Sequence, residues 1–230
     1  MCDKTSKDIS KNMVYVENTK RKLERIQADY PQADILDITS KSEKKYAQLL
    51  SPFYPHMNIP IPFSPGYTSA SVEGIWQGLK VFEQCGIDMN SFQNETMVGL
   101  KRTVRKYGKP LGHQKGIDST ELLDYFDARM HIYIPSYKWV LENVPSVIDI
   151  VSKIKERSKN HDIVFLDYNT NIDFMDISSP LSHAGLVKLY IEGNYHDENK
   201  NYFPLTLEEI ALKKEQKKKK KNQPKQLSLF

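Results

Sequence analysis

The sequence is poor in cysteine, with only Cys2 and Cys85 in 230 residues. Two cysteines that far apart exclude a disulfide framework and offer no metal spacing, which suits a reducing compartment. Six histidines are scattered without ligand spacing, so no metal is assigned. No apolar run is long enough to span a bilayer. The polar opening MCDKTSKDISKN has no signal-peptide core, so a soluble cytoplasmic protein is expected. There are no internal repeats, and the one low-complexity run is a lysine tract near the end.

That tract dominates the charge. The formal net charge is +4, but residues 212–230 hold eight lysines against Glu215, a local +7 that leaves the rest at −3. The body is mildly acidic and the tail is basic. The length suits one substantial domain plus a tail. We expect a flexible N-terminus over 1–12 and a globular domain over 13–205. Residues 206–230 read as a helix running into a disordered lysine-rich tail.

MVYV (13–16) reads as a strand, 20–30 as an amphipathic helix stopped by Pro31, and ADILDITS (33–40) as a second strand. Together they predict a small N-terminal β-α-β element. Five prolines between Leu50 and Thr68 exclude helix and central strand. The interleaved aromatics Phe53, Tyr54, Phe63 and Tyr67 predict an ordered loop packed on the body. A helix is expected from Ser71 to Cys85-Gly86, and a further helical region over 88–105. KYGKPLGHQKG (106–116) reads as a loop. Residues 119–143 read as helix interrupted at Pro135, and 145–158 as another. DIVFL (162–166) reads as a buried strand. Helices are expected from 180–182 onward and, behind a capping-box-like TLEE, over 206–221. The fold class is helix-rich α+β, a single domain.

The stretch SVEGIWQGLKVF (71–82) is apolar almost all round, as in a buried helix. Glu73, Gln77 and Lys80 nevertheless share one face at i, i+4 and i+7. Burying these groups is costly unless they meet partners or a ligand, so the stripe is either a structural network or the wall of a site. The 106–116 loop adds three glycines, Lys106, Lys109, Lys115 and His113, a composition suited to phosphate although it matches no P-loop or dinucleotide fingerprint. Read alone, it is a basic surface loop. Asp167, Asp173, Asp176 and His183 follow the strand DIVFL, where acids often point into a site, though a polar turn is the commoner case.

LSPFYP followed by SVEGIWQGLKVF resembles the NADAR (YbiA-like) superfamily, in which an L-S-N-F-Y-P-like segment precedes an S-x-E-x-x-x-Q-x-x-K helix. More narrowly, the chain resembles an uncharacterised bacterial and phage family that looks distantly NADAR-related. Gly108-Lys109 stands where the superfamily carries G-R. Its late D-x-x-W-G acid has only Asp173 or Asp176 to stand for it. The resemblance implies a NADAR-like core and hydrolysis of an N-glycosidic bond on an ADP-ribosyl or ribosyl-phosphate substrate, ADP-ribosylated DNA included. It implies Glu73 and Asp173 as catalytic residues, and Gln77, Lys80, Trp76, Tyr54, Lys109 and His113 as substrate contacts. Such chemistry needs a carboxylate to stabilise a ribosyl cation or activate water, and calls for no cofactor.

The last five residues, QLSLF, resemble the peptide by which bacterial DNA-processing proteins dock on the replicative sliding clamp. Leu229 and Phe230 would fill an apolar cleft, with Gln226 at its rim and Leu227 beside it. The lysine run before them suits nonspecific contact with DNA phosphates or serves as a tether. Two other readings compete with the enzyme: a non-enzymatic clamp accessory or inhibitor, and an ADP-ribose or nucleotide sensor.

Overall fold

The computed structural model describes residues 13–197 and 199–222. The chain forms β1 (Val14–Asn18), α1 (Leu23–Asp29), β2 (Asp34–Asp37), α2 (Lys45–Gln48), β3 (Ile59–Pro60), β4 (Thr68–Ser69), α3 (Val72–Gly78) and β5 (Lys80–Phe82). It continues as α4 (Met89–Phe92), α5 (Val104–Tyr107), β6 (Pro110–Gln114), β7 (Leu122–Leu123), α6 (Tyr125–Ala128) and a π turn (Arg129–Tyr133). The last elements are α7 (Ile134–Asn143), α8 (Pro145–Arg157), β8 (Ile163–Asp167), α9 (His183–Ile191) and α10 (Leu207–Asn222). One hydrophobic cluster joins these elements, so the architecture is a single α+β domain rich in helix.

The predicted β-α-β element forms, but its strands do not touch. β8 lies between them and pairs in parallel with both, in the order β1-β8-β2. Ile163, Val164 and Phe165 are all buried, and an unbroken apolar run suits a strand covered on both faces. The three strands end at one edge, with Asn18 opposite Asp167 and Asp37 opposite Leu166. That edge, at the carboxyl ends of a parallel sheet, is a common place for a site. The proline-rich segment is ordered: Leu50, Ser51 and Pro52 are buried, and Tyr137 donates its hydroxyl to the Leu50 carbonyl.

Three expectations are corrected. The helix from Ser71 ends at Gly78, not at Cys85-Gly86. Its last carbonyls are taken by distant donors: Gly78 O by Asp88 N (2.8 Å), Leu79 O by Gln114 N (2.8 Å) and Gln77 O by Arg102 (3.1 Å). Lys80–Phe82 is thereby freed to pair antiparallel with β6. Residues 88–105 are largely irregular, because Asn94 and Thr96 close side-chain turns and Met97 and Gly99 take positive φ (60° and 77°). The 106–116 loop contains β6, the middle strand of the β5-β6-β7 sheet. Gly112 is required there by packing, since a Cβ would lie 2.6 Å from Leu123 O.

The helix expected over 119–143 begins only at Tyr125, after β7, and at Pro135 it is widened rather than interrupted. Ile134 N bonds back to Arg129 O, five residues earlier, which widens the turn just ahead of the proline ring. The capping box at the start of α10 is as expected, with Glu209 N on Thr206 Oγ1 (3.3 Å) and Thr206 N on Glu209 Oε2 (2.8 Å). The expected N-terminal segment 1–12 and the clamp-peptide residues Gln226, Leu227, Leu229 and Phe230 lie outside the described residues. No described helix is long and apolar enough to cross a membrane.

Candidate functional site

The site grows from the first turn of α3. Ser71 caps the helix by accepting from Gly74 N (2.9 Å), and Glu73 N donates to Pro52 O (2.8 Å). Gly74 lets the turn sit close, since a Cβ would be 2.7 Å from Ser91 O. This docking aims Glu73 and Trp76 into a cavity of about 290 Å³, near the lower bound of roughly 300 Å³ usual for small-molecule sites. Ser51, Pro52 and Phe53 form one wall, and Tyr125, Arg129 and Tyr133 another. Asp167, Tyr168 and His183 close it at the sheet edge, and Lys101 also faces it.

Glu73 is only 8% exposed. Gln77 Nε2 donates to its Oε1 (2.9 Å), and no described residue bonds its second oxygen. Burial raises the Glu73 carboxyl above its ordinary range, against the opposing pull of Gln77, Lys101, Lys80 and His183. Gln77 itself is held on its far side, where Oε1 accepts from Arg102 N (3.1 Å). It does not line the cavity; it orients Glu73. Lys80 stands on β5 rather than on the helix face, with Nζ over the rings of Trp76 (5.9 Å) and Phe82 (5.7 Å), and it does not line the cavity.

Trp76 is fixed from several sides. His113 lies against its ring at 3.8 Å between centroids, and Tyr125 and Tyr133 meet it edge-on at 5.9 and 5.6 Å. Among the described residues, neither nitrogen of the buried His113 has a partner at hydrogen-bond geometry. Burial and the Lys80 charge hold its pKa down to about 3, so it is a neutral backing plate for Trp76. The other expected contacts lie elsewhere. Tyr54 packs on His56 (4.9 Å), and Lys109 N donates to Glu83 (2.9 Å). Asp173, the expected second acid, pairs with Lys213 (2.6 Å) and accepts from Met175 N (3.1 Å), outside the cavity.

A different carboxylate is present. Asp167 Oδ2 meets His183 Nδ1 (3.1 Å) and accepts from Ser182 Oγ (2.7 Å) and Ala184 N (3.3 Å), while Oδ1 accepts from Tyr168 N (2.6 Å). Burial pushes Asp167 up, but the His183 charge and these bonds override it and hold the pKa at about 2. Burial lowers His183, and Asp167 outweighs that and raises it. With Nε2 also on Ile38 O (3.0 Å), both ring nitrogens face oxygen acceptors and are placed to donate. The pair is therefore a fixed dipole, with no proton-accepting nitrogen left to act as a base.

Sequence reasoning reached Glu73 and Trp76 and noted Asp167 and His183. It missed Tyr125 and Arg129, which form a wall with Tyr133. Their signal was a spacing of four along one helix, and the π turn offsets the drift that would carry the third residue off the face. A search among curated proteins finds no match. A family model described as a family of unknown function (DUF6939) matches residues 18–187. That span holds every residue that lines the cavity, and the chain belongs to this family.

Proposed function

We propose that the cavity is the active site of a NADAR-like N-glycosidase that hydrolyses the bond between ribose and base on an ADP-ribosyl or ribosyl-phosphate substrate, with ADP-ribosylated DNA among the candidates. The observation that carries this reading is Glu73: a buried carboxylate with one oxygen fixed by Gln77 and the other without a bond from any described residue, facing an aromatic-walled hollow. In the reaction the C1′–N bond breaks and its electron pair leaves with the base. Water oxygen bonds C1′ and its proton passes to Glu73; the departing base takes up one proton from solvent, and Glu73 returns its proton to solvent after turnover. A carboxylate raised by burial is a stronger base once ionised. Trp76 offers a flat face for the base or sugar.

Mass-spectrometric base-release assays on ADP-ribosylated DNA and on riboflavin-pathway intermediates test it. Glu73→Gln should lower turnover by at least about 100-fold with the melting temperature kept; a variant as active as the parent overturns the assignment. One observation favours a sensor as the second reading. Asp173 lies outside the cavity, and Asp167 is locked to His183, so among the described residues that line it Glu73 alone is a carboxylate free to act. Saturable ADP-ribose binding without base release identifies that case. Recruitment to the sliding clamp through Gln226, Leu227, Leu229 and Phe230 belongs to the same proposal and rests on the sequence. The lysine tract adds nonspecific DNA contact.

A further inference from the structure

Arg129 is 1% exposed, and a guanidinium this deep is normally matched by a carboxylate. Here every described partner is neutral. Nη1 donates to Phe174 O (3.1 Å) and Asp176 O (2.8 Å); Nη2 donates to Ser179 O (2.8 Å) and Tyr125 Oη (3.2 Å). These bonds fix the side chain and satisfy four of its five N–H groups without cancelling its charge. The charge is not sealed away, because Arg129 and Tyr125 both line the cavity. Tyr125 accepts from the guanidinium, which leaves its own hydroxyl hydrogen free and polarised. A guanidinium buried this deeply is little screened by solvent, so its charge acts strongly on whatever enters beside it.

We infer that Arg129 and Tyr125 form an anion subsite in the cavity wall, which takes a phosphate or carboxylate group of the ligand. The group would accept from the Tyr125 hydroxyl and the remaining Nε–H, as in other charge-assisted pairs. The inference rests on reading this cavity as a ribosyl site, but it requires no turnover. It also moves the anion contact away from Lys109 and His113, which do not line the cavity.

Calorimetry on the full chain tests it, with ribose 5-phosphate against ribose, and glucuronate against glucose. The expected result is binding of ribose 5-phosphate or glucuronate at least tenfold tighter than its uncharged counterpart; whichever pair shows the preference identifies the anion. Tyr125→Phe keeps the ring against Trp76 and should reduce the preference at least threefold. Arg129→Lys should abolish it if its melting curve shows a folded protein; if it unfolds, Tyr125→Phe decides. Glu73→Gln should retain the preference, so loss of catalysis and loss of the subsite are distinguishable. No preference for either charged probe, or a preference unchanged in Tyr125→Phe, overturns the inference.

Discussion

At the scale of the residue, the balance around Glu73 decides the chemistry. Burial pushes its carboxyl up, while Gln77 and the Lys101 charge pull it down. If Glu73 must be ionised to act, the acid limb of kcat/KM reports its pKa. Lys101→Gln removes one of the opposing charges and should shift that limb to higher pH; an unmoved limb means that Lys101 does not act on Glu73. Gln77→Leu should shift it the same way and reduce kcat about tenfold, because Glu73 loses its orienting bond. The same change strips Arg102 N of its acceptor, at a stability cost of about 1–3 kcal/mol. The order of residues in α3 disclosed Glu73 and Trp76 but misplaced Lys80. Helical spacing to Lys80 assumes that the helix continues, and its end is set by Asp88, Arg102 and Gln114, which no local pattern reveals. Arg129 stayed hidden because three of its four acceptors are backbone carbonyls some 45 to 50 residues away.

At the scale of the element, Asp167 and His183 tie the end of β8 to the start of α9, and His183 adds β2's continuation through Ile38 O. The linkage gives stability two edges. His183, raised above its ordinary value, contributes fully below about pH 6.5, and this is lost as pH rises through its folded-state pKa. Asp167, lowered to about 2, contributes above about pH 4, and this is lost as pH falls toward 2. Urea midpoints across pH should form a plateau between these limits. In Asp167→Asn the alkaline edge should vanish, with a loss of about 3 kcal/mol at neutral pH. Gly78→Ala is a separate test of packing. A Cβ there lies 2.2 Å from the Phe92 ring, so chemical denaturation should show a loss of about 1–3 kcal/mol. Most longer elements were legible because their signals are local: α1, α8, β8 and the proline at the start of α7. β5 and β6 were not, because their pairing partners, rather than their own patterns, make them strands.

At the scale of the whole molecule, the proposal joins a body with a cavity to a basic end bearing a clamp-like peptide. Deleting residues 226–230 should abolish co-elution with a bacterial sliding clamp, and retained co-elution would remove that partner from the scheme. The order of strands in the parallel sheet has a further consequence. β1 and β2 have no bond to each other, and their shared neighbour begins only at Ile163 of 230 residues. On the ribosome, both strands therefore emerge with open edges and wait for most of the chain to be made. A nascent protein stalled before that point offers two unpaired ribbons to chaperones, and a peptide spanning β8, supplied separately, is the natural complement for rescuing such a fragment.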